Sequence, residues 1–147
     1  MMFMKYGWSR PLIFVTGLLS MVAVFPVAGM AGPLDQAVQN GKQLFMTATF
    51  AGNGKNCVSC HKAGGTTMGE LPNGKAIPSL NNAAAIFPRY NKKRNVVLTL
   101  QDQIHNCVLG ALHGTPPAYD SKEMVALISY LTSLSEGKAI NMGGKPK

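Results

Sequence analysis

Cys57 and Cys60 stand three apart in the stretch "NGKNCVSCHKAGG", and His61 follows the second thiol directly. Two cysteines with two residues between them and a histidine next in line form the C-x-x-C-H pattern of covalent haem attachment. The chemistry accounts for each residue type. The thiols add across the two vinyl groups of haem, and Val58 and Ser59 set the sulfurs at the spacing of those vinyls. The imidazole is then held against the iron as the proximal ligand. The expected cofactor is one haem c per chain, bound through Cys57 and Cys60, with His61 on the metal.

Other uses of the cluster fit less well. The chain has three cysteines, so any disulfide pairing leaves one over. A thiol–disulfide exchange site would call for a thioredoxin-like βαβ pattern, and no strand run of that kind surrounds the cluster. A zinc site would need a second Cys/His pair at ligand spacing, for which "HNC" at 105–107 is a poor substitute. With three cysteines and three histidines in 147 residues, the pentapeptide should arise by chance in about one such chain in a thousand.

The sixth position on the iron has several candidates. Small electron carriers mostly use methionine, and Met46, Met68, Met124 and Met142 lie beyond the first thirty residues. Met68 follows His61 by only seven residues, Met124 sits on an apolar stripe, and Met142 lies in a Gly/Lys tail. The loop before the last helix, "GTPPAY", contains no methionine. His105 and His113 are further candidates. Cys107 is either a ligand or a small buried hydrophobe, as unpaired cysteine often is.

Three helices must position these groups. "PLDQAVQNGKQLFMTA" places Leu34, Ala37, Val38, Gly41 and Phe45 on one face. "TLQDQIHNCVLGALHG" opens with a possible Thr99/Asp102 capping box and closes at Gly114, before Pro116 and Pro117. Leu100, Ile104, Cys107, Val108 and Ala111 share its inner face, while His105 lies on the side of Leu109 and Leu112. In "YDSKEMVALISYLTSLSEGK", Asp120 or Ser121 caps a helix that Gly137 stops, with Met124, Leu127, Ile128, Leu131 and Leu134 as its stripe. Gly41 would let the first and last helices cross closely, with Phe45 beside Tyr130 or Leu131. The Gly-, Asn- and Pro-rich tract between the haem motif and the 99–114 helix promises no sheet and is expected to wrap a haem edge. The fold class expected is all-α.

The N-terminus sets the compartment. Lys5 and Arg10 precede an uncharged apolar run, Leu12 to Ala31, with Gly29 and Ala31 at the small-residue positions of a cleavage site. This reads as a secretory signal over residues 1–31, with an uncleaved membrane anchor as the alternative. Residues 32–147 then form one domain in the periplasm. Without Lys5 and Arg10 the formal charge of +8 becomes +6, a balance suited to an acidic redox protein or an anionic substrate. "RYNKKR", Arg89 to Arg94, is the most basic stretch, either a solvated loop or a docking patch or haem-propionate neighbour. No basic helix or aromatic interleaving suggests nucleic acid.

The order "GKQLF", "CVSCH", "IPSL" and "LISYLTSL" resembles a class I cytochrome c. More narrowly, residues 100–138 resemble the cytochrome domains of the Sox haem subunit and of thiosulfate dehydrogenase. That resemblance implies a distal cysteine ligand some forty residues after the haem histidine, a role that would fall to Cys107, with Met68 as the alternative. It also implies that the Pro78 carbonyl accepts a hydrogen bond from the His61 ring. The chain departs from those enzymes in carrying one C-x-x-C-H, and "CVLGALHG" lacks the arginine many of them have after the cysteine. On these residues the first reading is a periplasmic one-electron carrier working between redox proteins. The alternative is a haem enzyme or subunit of thiosulfate or sulfur-compound oxidation.

Overall fold

The computed structural model describes residues 32–147, together with Met1 and Gly7. The expected signal otherwise lies outside the described residues. Among the described residues no helix is long and apolar enough to cross a membrane.

Helix α1 spans Pro33–Thr47, and the Asp35 carboxylate accepts from the Gly32 N–H at its start. After two 3₁₀ turns, Cys57–Ser59 and Ala63–Gly65, strands β1 (Gly69–Glu70) and β2 (Ala76–Ile77) form a hairpin. A one-turn helix, α2 (Ala83–Ile86), precedes a second antiparallel hairpin, β3 (Arg89–Asn91) with β4 (Val96–Leu98). Helices α3 (Leu100–Gly110) and α4 (Lys122–Ser133) complete the chain.

Helix α1 packs on α4 at the place Gly41 suggested. A Cβ on Gly41 would lie 1.9 Å from the Ala126 carbonyl oxygen, so only glycine allows this approach. Phe45 meets Tyr130 with ring centroids 5.4 Å apart. Met124, Leu127 and Leu131 of the expected stripe are buried, with Ile128 and Leu134 packed against them. Leu34 is the exception on α1: it is exposed. Ser121, rather than Asp120, caps α4, its Oγ accepting from Met124 N at 3.1 Å.

Two expectations change. The tract between the haem motif and α3 holds two hairpins and α2, so the domain is helical with small sheets rather than wholly α. Strands of two or three residues are too short to show a period, and their signals are turn signals: Gly74 (φ +79°) after Asn73, and Asn95 (φ +53°). Helix α3 also ends at Gly110, before the expected Gly114. His113, at φ +53°, turns the chain, and Gly114 N donates back to the Val108 carbonyl at 3.0 Å.

Candidate functional site

The haem motif is a folded turn. Asn56 caps it: its Oδ1 accepts from Ser59 N at 3.1 Å, and its Nδ2 donates to the Met46 carbonyl at the end of α1, at 2.8 Å. Cys60 N and His61 N both donate to the Cys57 carbonyl, at 3.2 and 2.9 Å. Tyr130 then fixes the chain beyond the histidine, its hydroxyl donating to the Gly64 carbonyl at 2.7 Å. Gly69 runs so close to Cys60 that a Cβ there would sit 1.7 Å from the Cys60 carbonyl oxygen. Helix α1 and strand β1 thus touch the turn that carries the two thiols, and α4 holds the chain just beyond it.

These groups open on a cavity of about 370 Å³ whose wall is mostly apolar, with Phe45, Leu80, Ile86, Leu127 and Leu131 among its residues. Cys57, Cys60, His61 and Cys107 all line it. So do Leu100, Ile104, Val108 and Ala111, the whole inner face expected of α3. Among the described residues no methionine lines it: Met68 and Met142 are each 67% exposed, Met46 is exposed, and Met124 is sealed in the core. His105 turns away, stacking on Tyr119 with its Nε2 2.8 Å from the Pro117 carbonyl oxygen. Tyr119 in turn donates to Asp102 at 2.7 Å, so the "GTPPAY" loop is fastened to the outside of α3. His113 is exposed. Leu112 joins the cavity instead of siding with His105, because the helical spacing that paired them has ended.

The electrostatics suit an apolar, metal-binding prosthetic group. Burial lowers the His61 pKa, which keeps the ring neutral as ligation requires. Its Nδ1 is buried with no hydrogen-bond partner, so the expected bond to the Pro78 carbonyl is not made, although Pro78 lines the cavity. Burial, then the neighbouring Cys107 thiol, pushes Cys57 up to about 12. Burial also raises Cys107, against a lowering hydrogen bond from Gln103. No three His, Cys, Asp or Glu side chains among the described residues converge as on a single bare ion. The sulfur and nitrogen donors are instead distributed round an apolar chamber, as a porphyrin needs.

Sequence reasoning missed several wall residues. Arg89 belongs to the cavity, its guanidinium 4.8 Å from the Phe87 ring centroid, apart from the rest of the basic stretch with which the sequence grouped it. Lys92, Lys93 and Arg94 are the exposed charges of "RYNKKR", with Arg94 tied to Asn106 at 2.6 Å. The C-terminal segment reaches the chamber through Pro146. Buried Asn82 and Ser79 hold that segment, Asn82 Nδ2 donating to the Lys145 carbonyl at 3.1 Å and Ser79 Oγ to the Lys147 carbonyl at 2.8 Å.

The family model for the SoxA/TsdA cytochrome c domain matches residues 40–140, which takes in the C-x-x-C-H turn, both hairpins, α3 and α4. The chain belongs to the SoxA/TsdA cytochrome c domain family. It is 32% identical over 112 residues to the thiosulfate dehydrogenase of Stutzerimonas stutzeri, covering 73% of this chain and 34% of that protein. To the L-cysteine S-thiosulfotransferase subunit SoxA of Chlorobaculum tepidum it is 30% identical over 115 residues, 78% of this chain and 34% of that one. The thiosulfate dehydrogenase TsdBA of Marichromatium purpuratum superposes with a TM-score of 0.61 at 25% identity, over 79% of this chain and 26% of that chain. The chain therefore spans about a third of the length of these relatives. A SoxA/TsdA cytochrome c domain carries covalently bound haem c, and the apolar chamber, neutral histidine and paired thiols fit that group.

Proposed function

We propose that this SoxA/TsdA-type domain works in the oxidation of thiosulfate or a related sulfur compound, with one haem c per chain held by Cys57 and Cys60. His61 is its proximal ligand and Cys107 its distal ligand. The observation that carries this is the company Cys107 keeps: it shares the chamber with the attachment motif, and among the described residues no methionine does. Similarity to thiosulfate dehydrogenases and SoxA subunits favours the sulfur reading over the simple carrier that the sequence ranked first. Haem c supplies a one-electron acceptor whose potential its axial ligands set. The chain's own residues fix those ligands: the Asn56-capped turn orients His61, α3 presents Cys107, and α1 and α4 cross beside the prosthetic group as its scaffold. The apolar wall excludes water from it.

Residues 1–31 act as the secretory signal, which places the 32–147 domain in the periplasm. Its electron partner is a redox protein with an acidic docking surface. Basic residues flank the chamber wall in sequence: Lys55 beside Asn56, Lys62 beside His61, and Lys145 and Lys147 on either side of Pro146. Such a rim suits either an anionic sulfur substrate or an acidic protein face.

A one-electron carrier is the second reading, favoured by the single C-x-x-C-H and by "VLGA" after Cys107, which offers no cation for a substrate anion. Steady turnover of the purified holoprotein with thiosulfate and an artificial electron acceptor separates the two. Turnover that Cys107→Ala abolishes supports the enzyme. A protein that only exchanges electrons with the acceptor, with thiosulfate inert, is the carrier.

A further inference from the structure

Gln103 lies one helical turn before Cys107 on α3, and its Nε2 donates to the Cys107 sulfur at 3.4 Å. A glutamine amide can present either its nitrogen or its oxygen to a neighbour. Arg89 decides which. Its Nη2 donates to Gln103 Oε1 at 3.2 Å, and a guanidinium only donates, so the amide oxygen must face Arg89 and the NH₂ must face the sulfur. The guanidinium is itself held against the Phe87 ring. Phe87, Arg89, Gln103 and Cys107 all line the haem chamber.

We propose that Gln103, oriented by Arg89, is a positioning residue that tempers electron donation from Cys107 to the iron. This rests on Cys107 being the distal ligand. An N–H aimed at a thiolate draws charge off the sulfur, so the ferric form gains less from the ligand and the reduction potential rises. Arg89 acts only through Gln103, by denying the amide its other orientation. The hairpin β3–β4 thereby sets the iron's potential without touching the iron.

The test uses matured holoprotein, read by low-temperature electron paramagnetic resonance of the oxidised form and by spectroelectrochemical midpoint. Gln103→Leu should keep the low-spin thiolate signal, shift its g values and lower the midpoint. Gln103→Glu, which keeps the shape and the Arg89 contact but has no N–H for the sulfur, should lower it further. Arg89→Leu should move the midpoint in the same direction, Arg89→Lys should restore it toward wild type, and Arg89→Leu/Gln103→Leu should match Gln103→Leu alone. A thiolate signal with unchanged g values and midpoint in Gln103→Leu overturns the proposal and leaves Cys107 on the iron. Loss of the thiolate signal in that variant, or additive shifts in the double, also overturns it. Identical spectra from wild type and Cys107→Ala would remove the ligand itself, and the relay with it.

Discussion

At Cys57 and Cys60 the chemistry is local enough to be read directly. Five consecutive residues name the cofactor, and one hydrogen-bonded turn holds them. Cys57→Ala or Cys60→Ala should leave a haem with one thioether, seen as a shifted α-band in the pyridine haemochrome spectrum and weaker retention on denaturation. From its own residues Cys107 was legible only as one of several candidates, since nothing in its immediate sequence distinguishes a ligand from a core thiol; the family resemblance alone put it first. The chamber narrows the choice by gathering the three cysteines and His61 and leaving Met46, Met68, Met124 and Met142 outside. Cys107→Ala should therefore lose a low-spin thiolate resonance from the oxidised holoprotein, and an unchanged spectrum would take Cys107 off the iron. The link between Arg89 and Gln103 was not legible, because it crosses from a hairpin to a helix and no sequence period connects those two positions.

The three long helices were legible as elements because each shows an apolar period, two of them with a cap, and Gly41 announced where two of them meet. Replacing it should be costly: Gly41→Val forces a side chain into the Ala126 carbonyl, and a loss of about 3 kcal/mol or more is expected by denaturant unfolding. Tyr130→Phe should be milder. It removes the hydrogen bond that ties Gly64 to α4, worth about 1 kcal/mol, and the Gly64 loop should gain amide exchange next to the haem histidine. The Asp102 fastening carries a pH signature. The Tyr119 hydroxyl, then Thr99, hold the Asp102 carboxyl below its ordinary pKa, with His105 and Arg94 nearby. A carboxylate depressed in the folded state stabilises fully above its unfolded pKa of about 4, and that contribution fades as pH falls through the lower folded value. Asp102→Asn should flatten the acid limb of a plot of Tm against pH and leave neutral stability lower. The hairpins escaped reading since their strands are shorter than any period.

For the molecule as a whole, six acids against fourteen basic residues set the terms of encounter. Association with an acidic redox partner should slow as ionic strength rises, because the Debye length is only about 10 Å at 0.1 M salt. Lys92→Glu/Lys93→Glu should reduce the stopped-flow rate at low salt and weaken its salt dependence, whereas rates indifferent to both would exclude the hairpin tip as a docking element. The shared chamber has one more implication, for biosynthesis rather than turnover. Any two of the three thiols that oxidise together include Cys57 or Cys60, so every possible disulfide blocks porphyrin ligation. A host that loads this chain must keep it reduced until the thioethers have formed. Cys107→Ser, which cuts the three wrong pairings to one, should raise the yield of coloured protein when reducing capacity is scarce.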